Sequence, residues 1–440
     1  MSANSHETIF ALSSAPGRAG VAVVRVSGAS AGQALLALAG PERPLPRVAT
    51  LRHIKGKNGD PIDQGLVLWF PAPASFTGED CAEFHIHGGR AIIDGLFEAL
   101  GEAGLRPAEA GEFTRRAVEN GKFDLTRAEA IADLVAAETE AQRQQALRQY
   151  EGGLEELYDG WRSRLIRAAA WTEAAIDFSD EELPEDAMAR AEGAAREIAE
   201  EIQEHLADSR RGELVREGLY LTVIGPPNVG KSSLVNTLAQ RDVAIVSEIA
   251  GTTRDVIEVH LNLGGYPVIL ADTAGLRLAA DAVEAEGVRR ALARAAQADM
   301  VLLLLDGSAP DPLANVSRET LAKATLIAWN KADLSWPAKR EGLAVSLKTG
   351  AGLAELIAII TEIARERLEI PQDAVPLTRA RHRHALEEAL AALNRALGAK
   401  EPELRGEDLR LALRAIGRIT GRVDIEELLD VVFRDFCIGK

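Results

Sequence analysis

A chain of 440 residues with 50 Lys and Arg against 67 Asp and Glu carries a formal charge of −17, which excludes a basic protein that coats nucleic acid. Its 47% apolar content and its length, beyond the ~100–200 residues of one domain, call for two to four domains with cores of their own. Two cysteines far apart, Cys81 and Cys437, speak against a disulfide framework or a cysteine zinc site, and no basic-then-apolar leader or membrane-length apolar run is present, so a cytoplasmic location away from any membrane is expected.

In chain order, residues 1–118 mix short β-like runs (Val21–Val26, Gly65–Phe70, Glu83–Ile86) with Gly and Pro punctuation and one helix over Ala91–Gly104, the pattern of a small α+β domain. From about Thr126 to Glu217 the chain turns Ala/Glu/Arg/Leu-rich with helical spacing, as at Leu154, Leu157, Trp161, Leu165 and Ala168. At Leu219 the texture changes. Apolar runs LYLTVI, YPVILAD, MVLLLLD, ATLIAWN and LAVSL alternate with helical stretches, which predicts a parallel sheet flanked by helices. Amphipathic helices return over 378–397 and 407–436. The simplest organisation is a helical domain in two parts, 119–217 and 376–440, with an α/β domain, 218–375, inserted between them.

The inserted domain carries the chemistry. Gly225-Pro-Pro-Asn-Val-Gly-Lys-Ser232 fits GxxxxGK[ST], after a strand and before a helix over Ser233–Ala239, which is the context a phosphate loop requires. Its backbone amides cradle phosphate, Lys231 supplies charge to the β and γ phosphates, and Ser232 can ligate Mg²⁺. Asp272-Thr273-Ala274-Gly275 ends the strand YPVILAD and sets Asp272 near the magnesium shell and the Gly275 amide near the γ phosphate. Asn330-Lys331-Ala332-Asp333 ends ATLIAWN. There the Asp333 carboxylate can accept from both N1–H and the 2-amino group of guanine, donors that adenine lacks, and Ser346-Leu347-Lys348 follows as a base-backing loop. Between the first two motifs, Gly251-Thr252-Thr253-Arg254-Asp255 precedes strands VIEVHL and YPVILAD joined at Gly264-Gly265, and Thr253 is the natural second hydroxyl ligand to Mg²⁺. After DTAG, where Ras-like enzymes carry a water-orienting Gln, stands Leu276, so hydrolysis needs other help. Asn228 and the acidic group Asp281, Glu284 and Glu286 are the candidates, against the plainer reading of acids opening a helix.

These motifs, together with APGRAGVAVVRVSG, SFTGEDCAEFHIHGG, GEFTRRAVENGKFDLTRAEAI and the closing CIGK, resemble the MnmE (TrmE) family of tRNA-modifying GTPases over essentially the whole chain. The resemblance implies an N-terminal α+β folate-binding and dimerisation domain, a helical domain, and an inserted Ras-like P-loop domain of α/β type. It also implies a cytoplasmic homodimer that works with the flavoprotein MnmG (GidA), as a heterotetramer or larger, on tRNA. There the family adds a carboxymethylaminomethyl or aminomethyl group at C5 of the wobble uridine. GTP, Mg²⁺, K⁺ and 5-formyl- or 5,10-methylene-tetrahydrofolate are the implied ligands.

Carried over by position, the nucleotide site comprises Asn228, Val229, Gly230, Lys231, Ser232 and Ser233, then Ser247, Glu248, Ile249, Ala250, Gly251, Thr252 and Thr253. It continues with Asp272, Thr273, Ala274 and Gly275, and with Asn330, Lys331, Asp333, Ser346, Leu347 and Lys348. Asn228, Ser247, Ile249 and Thr252 match the potassium site, Ser232 and Thr253 hold magnesium, and Glu284 matches the water-positioning glutamate. Arg25, Glu83, Lys122 and Lys440 match the folate site, where each would otherwise read as a surface ion pair. Pro226, often Arg in relatives, and Leu347, usually Ala, depart from the pattern, and Leu347 bears on how closely its loop approaches guanine.

Some residues stay open. Cys437 could add covalently to a uridine or simply line the folate pocket. Arg379-Ala-Arg-His-Arg-His384 is either a tRNA-contacting cluster or a solvated helix start. His85 and His87 alternate on a strand, a weak metal signal. The rival function is a GTP-switched RNA-binding module like the ribosome-assembly GTPases, which has no use for a folate pocket.

Overall fold

A computed structural model describes residues 7–177, 187–208, 210–241, 243–245, 258–271, 298–313, 316–334, 342–371 and 374–423, and the single positions Leu429, Val432, Phe436 and Gly439. The chain divides into two compact units, one built from residues 1–132, 150–188 and 400–440, the other from 133–149 and 189–399. The helical stretches are thus shared between them.

In the first unit β1 (Ile9–Leu12), β2 (Ala22–Ser27), β3 (Thr50–Lys55), β4 (Pro61–Phe70), β5 (Cys81–Ile86) and β6 (Arg106–Pro107) form one sheet in the order β3-β4-β5-β2-β1-β6. All pairs are antiparallel except β1 with β6. Alternation along β2 and β5 sends Val24, Val26, Phe84 and Ile86 into a core under the helices Ala31–Ala39 and Arg90–Glu102. The opposite alternation puts Arg25 directly beside Glu83 on the other face. β1, β3, β6 and the helices Ala31–Ala39 and Glu112–Glu119 lie outside the elements predicted from sequence.

Further along this unit, helix Gly153–Asp177 buries Leu154, Tyr158, Trp161, Leu165, Ala168 and Thr172 along helix Pro402–Thr420, the predicted stripe except that Tyr158 is buried in place of the half-buried Leu157. Gly406 faces the methyl groups of Thr172 and Ile176, so the two helices run closely side by side. Pro402 starts the second helix in its first turn and Gly421, at φ +75°, ends it, where a helix over 407–436 was predicted. Leu429, Val432 and Phe436 then pack with Leu125 and Ala128, bringing the C-terminal segment onto the start of helix Leu125–Ala136.

The second unit holds β7 (Leu219–Ile224), β8 (Glu258–Leu263), β9 (Tyr266–Ala271), β10 (Met300–Asp306), β11 (Leu326–Asn330) and β12 (Leu343–Ala344), in the order β12-β11-β10-β7-β9-β8. The runs read as strands are strands, parallel throughout except for the β8–β9 hairpin, and β10 is buried on both faces as a continuous apolar run implies. From β7 the chain goes to one side for β9 and to the other for β10. The strand order therefore reverses at β7, and a crevice opens at the carboxyl ends of these strands.

Entry to and exit from this sheet run side by side. A Cβ on Gly212 would lie 2.1 Å from the Leu377 carbonyl oxygen, so only glycine allows the approach. Asp133 Oδ1 accepts from Arg216 on the entry side at 3.1 Å and from Arg379 on the exit side at 2.8 Å. Arg383 bonds Asp208 at 2.6 Å and Glu213 at 2.8 Å.

Candidate functional site

At the end of β7 the backbone turns through three left-handed positions, Gly225 (φ +152°), Asn228 (φ +60°) and Gly230 (φ +106°), before helix Lys231–Ala239 begins. Side-chain volume is excluded at both glycines. A Cβ on Gly225 would lie 2.0 Å from the Leu304 carbonyl oxygen, and one on Gly230 would lie 2.4 Å from Asn330 Nδ2. The Lys231 ammonium lies back over the loop and donates to the carbonyls of Gly225 and Pro226, both at 2.8 Å. Ser232 and Ser233 open the helix at the surface, and Asn228 and Pro227 are exposed. This is a preformed anion cradle with its cation in place.

Asn330, buried at the end of β11, links two loops. Its Nδ2 donates to Val229 O in the phosphate loop at 2.8 Å, and its Oδ1 accepts from Leu347 N in the loop after β12 at 3.1 Å. Lys331, in a left-handed conformation, donates to Asp306 Oδ2 at 2.6 Å, and Asp306 caps the end of β10. Burial works upward on Asp306, but hydrogen bonds from Lys331 and Ser308 carry its carboxyl below the usual range. Asp306 is a site residue that the sequence reading passed over; the strand-final Asp of MVLLLLD was its signal.

Ser346, buried, donates to Asp333 Oδ1 at 2.7 Å, and this bond, with the charge of Lys348, holds the Asp333 carboxyl below the ordinary carboxylate range. Asp333 is therefore an exposed, ionised acceptor beside the loop. Leu347 turns its side chain toward the core and the Gly230 position, while its amide stays on Asn330. The substitution of Leu for Ala thus adds packing beneath the loop.

Every one of these groups sits at a carboxyl end of β7, β10, β11 or β12. Residues 246–257 and 272–297, with Ser247, Glu248, Ile249, Ala250, Gly251, Thr252, Thr253, Asp272, Thr273, Ala274, Gly275, Asp281, Glu284 and Glu286, lie outside the described residues, as do Cys437 and Lys440. β9 ends at Ala271, immediately before Asp272.

In the first unit, Arg25 Nε and Nη2 donate to Glu83 Oε1 at 3.1 and 3.0 Å. The guanidinium lies 5.1 Å from the ring centre of Phe76 and 5.9 Å from that of Phe113. Phe76 in turn meets Phe123 at 5.8 Å, and Lys122 Nζ donates to Pro73 O at 2.7 Å on the same loop. Ser13 Oγ donates to Gly439 O at 2.9 Å, which docks the chain's end beside the β1–β2 edge. Arg25, Glu83 and Lys122 are brought into one neighbourhood, and Phe76, Phe113 and Phe123 are the partners that the sequence reading missed.

Three other readings resolve on geometry. Arg379 and Arg383 are engaged in the internal ion pairs described above and His382 is buried, so the cluster 379–384 is not a free basic patch, and only Ala380 and His384 in it are exposed. His85 bonds Glu83 at 3.1 Å and His87 bonds Asp63 at 2.9 Å, each in its own pair. Among the described residues no helix is long and apolar enough to cross a membrane.

Comparison with known proteins gives matches along the chain. Residues 8–122 match the family described as the GTP-binding protein TrmE N-terminus, and residues 125–437 match the MnmE helical domain. The tRNA modification GTPase MnmE of Paramagnetospirillum magneticum is 55% identical over 440 residues, covering 99% of this chain and 100% of that protein. Its counterpart in Maricaulis maris is 54% identical over 437 residues, covering 98% and 99%. Among solved structures, the G domain of the T. maritima FeoB iron transporter aligns at 28% identity with a TM-score of 0.27, covering 33% of this chain and 98% of that one. Era bound to MgGDPNP and a 16S ribosomal RNA segment aligns at 27% identity with a TM-score of 0.26, covering 42% and 69%.

Proposed function

The chain belongs to the MnmE (TrmE) family of tRNA modification GTPases, and we propose that it hydrolyses GTP to drive modification of C5 of the wobble uridine of tRNA, with a flavoprotein of the MnmG type and a tetrahydrofolate one-carbon unit. It is a GTP-binding enzyme whose parts are a TrmE-type N-terminal domain, a helical domain and a Ras-like nucleotide domain. The single observation that carries the nucleotide reading is Asn330, which ties the phosphate loop to the base loop by two hydrogen bonds.

In that reading Lys231 exchanges its two loop carbonyls for phosphate oxygens, a stronger, charge-assisted pairing. Asp333, kept ionised by Ser346, accepts the two donors on the guanine edge. Adenine would leave that carboxylate facing an acceptor and a C–H, which supports a preference for GTP. Ser232 and Thr253 are the proposed Mg²⁺ ligands, and Asn228, Ser247, Ile249 and Thr252 the proposed K⁺ ligands. Ser232 and Asn228, exposed at the mouth of the cradle, offer the hard oxygen donors such ions take. Bound there, the cations would neutralise charge on the phosphate oxygens. Glu284 is proposed to orient the attacking water in the absence of a glutamine.

The Arg25–Glu83 pair, flanked by Phe76 and Phe113, suits a flat heterocycle bearing an amino edge, and Lys122 suits a glutamyl carboxylate. Lys440 is the proposed fourth member of that folate site, with Cys437 a further candidate. We assign residues 1–118 to the folate-binding and dimerisation domain, 119–217 and 376–440 to the helical domain and 218–375 to the nucleotide domain, in a cytoplasmic homodimer. Nucleoside analysis of tRNA from cells lacking the gene should reveal loss of the wobble modification. An unchanged nucleoside profile refutes the proposal, and failure of the full chain to bind 5-formyl-tetrahydrofolate in a calorimetric titration refutes its folate half.

A further inference from the structure

In a chain of net charge −17, two stretches combine a high density of arginine with an absence of acid. Residues 160–172 and 409–423 together hold seven arginines and no Asp or Glu, whereas 28 residues at the chain's own frequency would hold about four acids. The fold lays these two stretches side by side. Arg410 bonds Glu173 at 2.8 Å at one end and Arg422 bonds Asp159 at the other, and between these two pins run the facing parts of helices Gly153–Asp177 and Pro402–Thr420. Arg167 and Arg414 are exposed, Arg162, Arg164 and Arg418 are half-buried, and Ile166 and Leu411 stand at the surface among them, each 40% exposed.

Helix electrostatics explain only part of this. Arg418 complements the carboxyl end of its helix, but Arg414 lies outside that last turn and residues 160–172 lie in the middle of theirs, where the end effect has decayed. A solvated helix face elsewhere in this protein mixes signs, as the pairs Arg143–Glu140 and Arg365–Glu362 do. From Arg410 to Arg422 the face runs about 18 Å at 1.5 Å per residue, long enough to meet several phosphates of one strand. Arg410 and Arg422 are held in the two ion pairs, and between them the exposed Arg167 and Arg414 present guanidinium groups, whose planar fork matches a phosphate bidentately and stacks on bases.

We propose that this arginine face docks the phosphate backbone of RNA, the tRNA substrate itself. The inference rests on the tRNA reading above and locates where the first unit would meet that substrate. Arg167 and Arg414 take no part in the nucleotide or folate sites, so replacing them leaves GTP turnover intact.

The test is fluorescence anisotropy of a labelled tRNA anticodon stem-loop titrated with the full-length chain at 50–200 mM salt. The double variant Arg167→Gln, Arg414→Gln should bind about tenfold more weakly than the unsubstituted chain. Its log-affinity against log-salt slope should be shallower by about 1.4, two phosphate contacts at ~0.7 each. Arg90→Gln, an exposed arginine in the N-terminal domain, should change neither quantity. GTP turnover and circular dichroism of each variant report intact folding. Equal affinity and slope in the double variant overturn the inference and leave the tRNA reading standing. Absence of stem-loop binding by the unsubstituted chain overturns both. Retained RNA binding with selective loss of poly-glutamate binding would give the face to an acidic protein partner, which also overturns it.

Discussion

Asn330 offers the sharpest test of how the two ends of the nucleotide crevice are held together. Its side chain is 5% exposed, donates to Val229 O at 2.8 Å and accepts from Leu347 N at 3.1 Å. Asn330→Ala leaves both partners in a buried setting without a bond, at about 1–2 kcal/mol each, or ~2–4 kcal/mol for the pair. Both loops then lose the geometry in which they meet the ligand, so the GTP dissociation constant should rise by roughly 30- to 700-fold. The isosteric change Asn330→Asp is the more searching variant. It keeps the acceptor for Leu347 but turns the donor facing Val229 O into a second acceptor, so it should bind no better than the alanine variant despite its matched shape. Titration with a fluorescent GTP analogue on the full chain measures both, and a thermal melt checks that the fold persists. Asn330→Asp at wild-type affinity, or Asn330→Ala within threefold of it, would show that the loops are held by something other than this side chain.

Asp333→Asn should lose guanine preference and gain relative affinity for xanthine nucleotides, which replace a donor with a carbonyl; competition binding of GTP and XTP checks the reversal. Glu284→Ala should keep nucleotide affinity and slow single-turnover hydrolysis by ~10² or more, and unchanged turnover removes its assigned role. Asn228→Ala should abolish the rate difference between K⁺ and Na⁺ buffers. His205 and Asp124 make opposed acid responses. Burial, reinforced by the Arg383 charge and only partly countered by Asp208, lowers His205 to about 4. Between its ordinary value near 6.5 and that figure, only the unfolded chain takes up the proton, so stability falls as pH drops, by up to ~3 kcal/mol. Burial, with Glu155 and Glu129 nearby, raises Asp124 to about 6 against its hydrogen bonds from Arg127 and Thr126. There the folded state holds the proton, so stability falls as pH rises from about 4 to 6. Melting curves from pH 4 to 7 should therefore show a flatter acid limb for His205→Gln and a gain for Asp124→Asn that grows toward neutrality.

What was readable in the amino-acid string was whatever the backbone demands locally. Gly225 and Gly230 occupy left-handed positions with a carbonyl or an amide where a Cβ would go, so the glycine spacing of a phosphate loop is written in residue type. The buried runs MVLLLLD and LYLTVI announced parallel strands because both faces are covered. Helix Ala31–Ala39 was missed because AGQALLALA is apolar nearly all round and shows no period, and β3 because its edge position mixes exposed Leu51 with polar neighbours. The partners of Arg379 and Arg383 lie far away in the chain at Asp133, Asp208 and Glu213, so a cluster that looked free is internal. Asp306 was overlooked for the same reason, its lysine partner standing just past the end of the neighbouring strand β11.

The close passage of Gly212 beneath the Leu377 carbonyl has a bearing on descent as well as on stability. A module whose two ends share one narrow doorway can be lengthened, shortened or exchanged during evolution without altering the register of the helices on either side. The same doorway offers a protein engineer a single joint at which the nucleotide-handling half could be grafted onto another scaffold.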